Sequence, residues 1–487
     1  MTNIVIPKTP YTTKLSLTIM CIISGLCWYF GNGLIGDFWY LLWIAPMPML
    51  YIAFTNSGRA TFITSFTAYL IGRLSWFSYL ERVATLVPAI IFTIALPLFF
   101  ALIVLLARKT AHKTNAWYAI FAFPAFFTTY EYLFIKFAPD GTAASIAYSQ
   151  MNCLPVIQIA SVTGILGITF LITLIPSIIA LALFYRNEQA KLKYIIAIGG
   201  TIVAAVLLFG ILRLNSEPSG SSIKAGMTVL DEDAHNTSDH PNIEKDKATL
   251  DNYLLQVPKL AAQGAKVVLF PERALSIDKA NETAVITALS NAAKQNHVYL
   301  IAGYTNLREV KERNSALVIN ADGNVILSYN KTHLVNGLET QFTPGNKIGL
   351  FKYDGIQAAT AICKDMDFQD YIRQYGAGEP SIMFAPAWDF IVDDWLHCRM
   401  AILRSVENGF PQVRAAREGR LTINDYYGRV TSEASCSNLR PASLVGEVSL
   451  QRTNTFYTRF GDWFGIVNLL TAVFFIVMVI INRNKLL

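Results

Sequence analysis

The sequence predicts a polytopic α-helical membrane protein of about eight spans that carries an extracytoplasmic α/β sandwich domain. Two observations lead to this fold class. Of the 487 residues, 53% are apolar and only 15% are charged, and the apolar residues are concentrated in blocks near the ~20 residues that cross a bilayer. One long polar segment instead alternates strand-length apolar runs with amphipathic stretches, which is typical of a layered α/β domain.

The predicted spans divide the chain into three parts. They lie at about residues 15–30, 38–54, 60–80, 84–107, 116–137, 155–185, 193–213 and 463–482. We therefore expect an N-terminal membrane domain with seven spans (1–214), an extracytoplasmic domain (221–453), and a last span with a short tail (454–487).

The distribution of Lys and Arg predicts the orientation of the spans. If the N-terminus is cytoplasmic, the inner loops collect many basic residues, for example Arg108, Lys109 and Lys113, whereas the outer loops hold few, such as Arg82. Both termini are then cytoplasmic and the polar domain lies outside. This bias also accounts for the net charge of +6, and no compact basic patch suggests a nucleic-acid partner.

Cysteines are too few for a disulfide scaffold in a chain of this length. Cys363, Cys398 and Cys436 lie in the polar domain. Because three thiols cannot all pair, at least one is expected to be free in an oxidising compartment, and the pairing of Cys398 with Cys436 is left open.

The polar domain is predicted to contain both strands and helices. Strands are predicted at 222–230, 266–270, 298–304, 315–320, 325–329, 360–363 and 381–385, and helices at 243–263, 281–295 and 394–408. The turn Asp322-Gly323 joins two of the strands as a hairpin.

Three ionisable residues each follow one of these strands. Glu272 follows VVLFP, Lys331 follows VILSYN, and Cys363 follows ATAI. Strand ends converge at one edge of a parallel sheet, where ligands bind. A carboxylate acts there as general base, an ammonium favours the thiolate and an oxyanion, and the thiolate attacks an ester or amide. Each residue alone is more often an ordinary turn, surface or core residue, but their shared placement predicts acyl transfer.

The segments around these three residues resemble the nitrilase superfamily. They are LFPERA (269–274), YNKTHLV (329–335) and AICKD (361–365), and the resemblance implies an α-β-β-α sandwich with a Glu-Lys-Cys triad. A nitrilase domain placed before the last span is similar to the apolipoprotein N-acyltransferase family, which EYL (131–133), YSQ (148–150) and FYTRFGDW (456–463) also resemble.

The resemblance implies roles for particular residues. Glu272 would be the general base, Lys331 the cation beside the oxyanion, Cys363 the nucleophile, and Glu339 a further essential glutamate. His397, Arg404 and Glu407 also fall where family members carry similar residues, and ordinary salt links along a helix are their simpler interpretation.

The resemblance also implies a reaction. An acyl chain would move from a membrane phospholipid, through a thioester on the cysteine, to the N-terminal amine of diacylglyceryl-cysteine in an apolipoprotein. The chain would then lie in the bacterial inner membrane with its catalytic domain on the periplasmic side. We expect no cofactor, no metal and a monomer.

Departures from the family pattern leave the acceptor open. Lys364-Asp365 follow the cysteine where the family commonly has Tyr-Glu. Neighbours on an extended strand point to opposite sides, so Lys364 is expected to face away from the thiol. A membrane-tethered amidase, or an acyltransferase for a different amine, is therefore an alternative. A transporter is a third hypothesis, because Arg73 and Glu131 lie inside predicted spans. As alternatives to transport, the two residues would pair with each other or line the lipid-facing entrance to the site.

Overall fold

A computed structural model describes residues 13–216, 220–231, 242–308, 310–437 and 440–482. Both chain ends, whose sidedness the charge distribution predicts, lie outside these ranges.

The described residues of the N-terminal part form helices and connecting turns, with no strand. Its helices are α1 (Lys14–Gly31), α2 (Met47–Thr55), α3 (Gly58–Arg73), α4 (Phe77–Ala84), α5 (Leu86–Thr114), α6 (Ala122–Phe137), α7 (Leu154–Ile157), α8 (Ala160–Thr163), α9 (Ile165–Phe184) and α10 (Gln189–Leu214). The helices of the following domain are α11 (Ile243–Leu254), α12 (Gln256–Ala262), α13 (Glu282–Asn296), α14 (Gln369–Ala377) and α15 (Asp394–Asn408), and α16 (Phe456–Phe460) and α17 (Trp463–Ile481) come last.

Six helical segments of the described residues are long and apolar enough to cross a membrane. They are Lys14–Gly31, Leu86–Thr114, Trp117–Phe137, Ile165–Phe184, Gln189–Leu214 and Trp463–Ile481. The prediction of a helical membrane protein is confirmed.

Two predicted spans are wrong as full-length helices. The segment at 38–54 divides into a tight turn at Trp39–Trp43 and α2, which begins directly after Pro46 and has only 9 residues. The segment at 60–80 divides into α3, a tight turn at Leu74–Trp76, and the amphipathic α4. At 1.5 Å per residue, α3 reaches roughly 24 Å, which is short of the hydrocarbon core.

The following domain contains the strands. They are β1 (Ser222–Val229), β2 (Val267–Leu269), β3 (Leu275–Ile277), β4 (Tyr299–Asn306), β5 (Arg313–Ile319), β6 (Val325–Asn330), β7 (Gly349–Tyr353), β8 (Ile356–Thr360), β9 (Ile382–Trp388), β10 (Gln412–Arg417), β11 (Arg420–Asn424), β12 (Val430–Ser435) and β13 (Ala442–Ser449).

These strands form two sheets that pack face to face. One sheet has the order β13-β1-β2-β4-β5-β6, with β3 added on β4, and the other has the order β12-β11-β10-β9-β8-β7. Leu269, Ile301, Phe384 and Val413 belong to the apolar layer between them. Helices α11, α12 and α13 cover the outer face of the first sheet, and α14 covers that of the second. The predicted α-β-β-α sandwich is confirmed.

One predicted strand is misplaced. The residues 360–363 were expected to form a strand, but the strand is β8 and ends at Thr360. Cys363 instead begins a tight helical turn that ends at Asp367. The nucleophile candidate therefore lies on a turn, where its backbone is not extended.

Candidate active site

The sheet topology brings the ends of β2 and β6 together. β2 is parallel to β4, while β4 and β5 are antiparallel, as are β5 and β6. Strand β6 therefore runs in the same direction as β2, and Glu272 and Lys331 emerge at the same edge. The backbone N–H of Glu272 donates to Ala387 O at 3.3 Å, which connects this edge to β9 of the second sheet.

Lys331 lies between two carboxylates. Its Nζ is 2.7 Å from Glu272 Oε1 and 2.9 Å from Glu339 Oε2, and all three side chains are buried. Burial alone would lower the pKa of Lys331, but the two carboxylates outweigh it and raise this pKa well above its usual range. Burial would likewise raise the pKa of Glu339, yet Lys331 holds it below its ordinary value. Lys331 and Glu339 therefore stay ionised at neutral pH.

Asn314 completes this cluster, and sequence reasoning missed it. Its Nδ2 donates to Glu272 Oε1 at 2.5 Å and to Glu339 Oε1 at 2.7 Å. No local signal marked it, because Asn314 lies between Arg313 and Ser315 at the polar start of β5, although its burial requires hydrogen-bond partners. Asn314 fixes the position of both carboxylates.

One carboxylate oxygen of Glu272 is left without a hydrogen bond among the described residues. Oε2 of Glu272 is buried and has no hydrogen-bond partner within the described ranges. Lys331 uses two of its three N–H groups on the carboxylates, which leaves one donor. The cluster therefore offers a proton acceptor and a charged donor to whatever enters the site.

Cys363 is a buried thiol in a strained backbone conformation. Its side chain is 3% exposed, and its Sγ donates to Trp388 O at 3.4 Å. Its φ of 45° lies in the left-handed region, which costs about 1–3 kcal/mol and is frequent at active sites. Burial raises the pKa of Cys363 well above its ordinary value, and the nearby Glu272 raises it further. The resting thiol is protonated, so it needs a base to react.

Asp365 holds the turn that carries Cys363. Its carboxylate accepts hydrogen bonds from the backbone N–H groups of Thr332 at 3.1 Å, His333 at 2.8 Å and Ile362 at 3.1 Å. These bonds connect the loop after Lys331 to the turn at the thiol. The departure from the family pattern at this position therefore has a structural role.

Lys364 reaches the N-terminal part of the chain. Because Cys363 starts a turn, the argument from an extended strand does not apply, and Lys364 lines the same cavity as Cys363. Its Nζ is 2.5 Å from Asp140 Oδ1, a residue that follows α6.

A second charged cluster lies on another side of the thiol. Arg414 donates to both carboxylate oxygens of Asp389, at 2.8 and 2.5 Å. His397 Nδ1 is 3.4 Å from Asp389 and 3.6 Å from Asp393, and its Nε2 is 3.4 Å from Asp367. One side-chain atom each of Cys363, Asp389 and His397 lies within 4.8 Å of the others.

His397 is a buried cation in this second cluster. Burial alone would lower the pKa of His397, but the carboxylates of Asp367 and Asp389 raise it to about 9. Burial raises the pKa of Asp393 to about 7, against the opposing charge of His397. Sequence reasoning grouped His397 with salt links on the helix, and the structure places it beside the thiol.

Arg404 and Glu407 form a buried junction with the membrane helices. The two side chains are 3.2 Å apart and fully buried, so the predicted salt link is confirmed. Arg404 Nη2 donates to the hydroxyl of Tyr148 at 2.9 Å, and Glu407 Oε1 accepts from Ile165 N at 3.0 Å. Both partners belong to the N-terminal part.

A cavity of about 330 Å³ joins the thiol to the membrane helices. It is lined by Cys363, Glu272, Lys331 and Glu339, and also by Arg73, Trp76, Phe92, Leu96 and Phe134. Phe390 lines it too, with its ring edge-on to Tyr79 at 6.5 Å between centroids. The site therefore opens toward the apolar helices, which suits an amphiphilic substrate.

Arg73 and Glu131 do not form a pair. Glu131 accepts hydrogen bonds from Ser145 Oγ at 2.9 Å and from Ile146 N at 2.8 Å. These bonds anchor the segment after α6, so Glu131 has a structural role. Arg73 instead lines the cavity at the thiol, as one interpretation of the sequence predicted. The two charged residues therefore no longer give a reason to propose a transporter.

The cysteines are all free thiols. Cys398 is buried in α15, and Cys436 Sγ donates to Ala416 O at 2.8 Å. The pairing of Cys398 with Cys436, which the sequence left open, is therefore absent.

Comparisons with known proteins match both parts of the chain. The family model for carbon-nitrogen hydrolases matches residues 238–433, and the model for the apolipoprotein N-acyltransferase N-terminal domain matches residues 24–178. An apolipoprotein N-acyltransferase of Geobacter metallireducens is 25% identical over 470 residues, which covers 87% of this chain and 88% of the relative. One of Haemophilus ducreyi is 22% identical over 497 residues, covering 92% and 94%.

Solved structures include an amidase from a Nesterenkonia species. It is 18% identical, covers 52% of this chain and 97% of its own, and has a TM-score of 0.43.

The two-sheet fold and the hydrolase match give the class of protein that this chain resembles, which is the carbon-nitrogen hydrolase superfamily, here joined to helices long and apolar enough to cross a membrane. Within that class, the N-terminal match and the relatives that cover most of the chain make it similar to the apolipoprotein N-acyltransferase family, and they support a bacterial membrane protein.

Proposed function

We propose that the protein transfers an acyl chain from a membrane phospholipid, through a thioester on Cys363, to the N-terminal amine of diacylglyceryl-cysteine in apolipoproteins. The observation that carries this proposal is the cavity that joins a thiol, a free carboxylate oxygen and an ammonium to apolar membrane helices. The names of the full-length relatives support the substrates.

In the first half-reaction, Glu272 Oε2 takes the proton of the Cys363 thiol. The thiolate then attacks the carbonyl carbon of an acyl ester, and the remaining N–H of Lys331 stabilises the tetrahedral oxyanion. When the ester C–O bond breaks, the protonated Glu272 returns its proton to the departing oxygen. A lysophospholipid leaves and an acyl-thioester remains.

In the second half-reaction, the free amine of the lipoprotein attacks the thioester carbonyl. Glu272 accepts a proton of that amine, the C–S bond breaks, and the thiolate regains a proton from Glu272. The product is an amide, and Cys363 is ready for another donor. Glu339 positions Lys331 throughout and keeps its ammonium charged, because the two side chains are 2.9 Å apart.

The apolar walls of the cavity support transfer over hydrolysis. Water in the site would cleave the thioester, and an apolar lining such as Phe134 and Phe390 lowers its concentration there. Membrane anchoring also holds two lipid substrates near one nucleophile. An amidase or an acyltransferase for another amine would use the same triad, so product analysis distinguishes it.

We also propose the placement of the domains. The bias of Lys and Arg toward one set of loops supports a periplasmic catalytic domain and cytoplasmic termini in the inner membrane. The antiparallel pair β1 and β13, which spans Ser222 to Ser449, supports one catalytic domain at 221–453, between membrane parts at 1–214 and 454–487. We expect the enzyme to act as a monomer.

The decisive experiment uses the full chain in lipid nanodiscs with a phospholipid of defined acyl chains. We expect intact mass spectrometry to show one acyl chain on Cys363, and its loss with an N-acylated product when a diacylated lipopeptide is added. The Cys363→Ala variant is the control. Product formation by that variant, or release of free fatty acid in place of the amide, would contradict the proposal.

A further inference from the structure

Arg73 is a buried cation in the cavity without an anion beside it. Its side chain is 7% exposed, no carboxylate pairs with it in the described part of the chain, and its Nε is buried with no hydrogen-bond partner there. A buried charge without a counter-ion is costly. An anion that enters with a substrate would remove that cost.

The guanidinium of Arg73 is held in place for such an anion. It lies over the ring of Trp76 at 4.9 Å from the centroid, and both side chains line the same cavity as Cys363. Stacking on an aromatic ring fixes the plane of the guanidinium. A fixed guanidinium presents its N–H groups as a fork that matches the oxygens of a phosphate.

Arg73 lies next to a short amphipathic helix. It ends α3, and the chain continues into α4, whose Glu81 and Arg82 are exposed while Tyr79 and Leu80 line the cavity. A short amphipathic helix of this kind is typical of the interface between lipid and water, where phosphates lie.

The neighbouring walls of the cavity are apolar. Phe92 and Leu96 of α5 and Phe134 of α6 share it with Arg73. A ligand that matches both Arg73 and these apolar side chains has an anionic group and a hydrocarbon chain on one molecule. The acylated acceptor brings an ammonium at its reacting end, which Arg73 repels, so the anion belongs to the acyl donor.

We propose that Arg73, held by Trp76, binds the phosphodiester of the phospholipid donor and so sets the position of its acyl ester against Cys363. This inference rests on the proposed function and names the group that selects a phospholipid over other acyl esters. Arg73 is a binding residue that touches the phosphate and does no proton transfer.

The test compares two donors in the first half-reaction. The full chain in nanodiscs is offered either phosphatidylglycerol or a p-nitrophenyl ester of the same acyl chain, and acylation of Cys363 is timed by mass spectrometry. For Arg73→Gln we expect a fall of about ten- to hundredfold with the phospholipid, which is the usual size for a lost charged hydrogen bond, and no change with the ester. Arg73→Lys should recover part of the rate.

Arg82→Gln is the matched control, because Arg82 is exposed on α4 and does not line the cavity. We expect both donors to react normally in this variant. An equal loss with both donors in Arg73→Gln would assign Arg73 a structural role and overturn the proposal, as would an unchanged rate with phospholipid.

A binding measurement separates this inference from the proposed function. In the Cys363→Ala background, native mass spectrometry is used to count phosphatidylglycerol and diacylglycerol retained by the protein. We expect Arg73→Gln to lose the phospholipid and not the diacylglycerol, even if the wild type forms no acyl-enzyme and the proposed function fails. Equal retention with and without Arg73, or displacement of the lipid by millimolar inorganic phosphate, would overturn the lipid-phosphate site.

Discussion

Two charged clusters flank the Cys363 thiol, and they differ in how tightly their charges are held. Around Lys331, every contact is a direct hydrogen bond of 2.5–2.9 Å. Around His397, the ring nitrogens stay 3.4–3.6 Å from three carboxylates, and neither nitrogen has a hydrogen-bond partner in the described residues.

The first cluster contributes to catalysis through its fixed geometry, and the second contributes through its charge. The first cluster fixes Glu272 so that one open oxygen remains as a base, and a small displacement there is costly to catalysis. In the second cluster, His397 keeps a positive charge near the thiol without a directed hydrogen bond to any described residue. We therefore expect changes in the first cluster to affect acyl transfer more than changes in the second.

The largest expected loss is that of Glu272→Gln. The amide keeps the shape of the side chain but cannot take the thiol proton, so acylation of Cys363 should fall by about 10²–10⁴-fold. Intact mass spectrometry of the acyl-enzyme over time measures this. Glu379→Gln is the control, since Glu379 pairs with Arg452 at the surface. A loss below tenfold would assign the base to another group.

Lys331→Met should slow acylation by about 10²–10³-fold through loss of oxyanion stabilisation. It should also lower the free energy of unfolding by about 3–5 kcal/mol, because two buried carboxylates lose their partner. Thermal unfolding in detergent gives the second value. The double variant Lys331→Met with Glu339→Gln should be more stable than the single variant, and an equal or lower stability would contradict the cluster as described.

Gly303→Ala tests the position of Glu272 without changing its chemistry. A Cβ at Gly303 in β4 would come within 2.2 Å of Pro271 O and 2.7 Å of Glu272 Cα. The backbone at Glu272 must then move, and we expect a loss of about 10²-fold in acylation rate. Gly226→Ala in β1 is the matched control, since its Cβ meets only side chains at 3.1 Å. Similar losses in both variants would indicate general damage to the sheet.

His397→Gln should have the smallest effect on acylation, about tenfold at neutral pH, because it removes a charge that has no fixed contact with the substrate. Its clearer signature is the pH dependence of stability. The pKa of His397 is about 9 in the folded chain, above its ordinary value near 6.5. Its contribution to stability is therefore complete below about pH 6.5 and is lost as the pH rises through 9.

The measurement is the free energy of unfolding of wild type and His397→Gln across this pH range. We expect the advantage of the wild type to shrink by roughly 1–3 kcal/mol between pH 6.5 and 9. A difference that is constant with pH would mean that folding does not raise the pKa of His397.

The sequence was sufficient for the residues whose signal is local. Glu272, Lys331 and Cys363 each follow an apolar strand, and the strand direction that brings two of them together follows from the hairpins. Glu339 came only from the resemblance to a family. Asn314 was missed because its partners are 42 and 25 residues away along the chain, and no short pattern encodes such contacts.

Local sequence patterns could not predict the cavity either. Arg73 and Cys363 share it although they lie on different parts of the chain, and the sequence suggested only that Arg73 lines an entrance. The two shortened spans were misjudged because hydropathy counts apolar residues and gives no weight to the turn at Trp39–Trp43 or to the turn after Arg73.

The buried junction of Arg404 and Glu407 with Tyr148 and Ile165 limits how the domains can be exchanged between related proteins. A catalytic domain grafted onto the membrane half of another family member would place these charges against foreign partners. A chimera is therefore expected to assemble only when both sides of the junction are exchanged together. Exchange of one side alone would leave the buried side chains of Arg404 and Glu407 without the partners that Tyr148 and Ile165 provide.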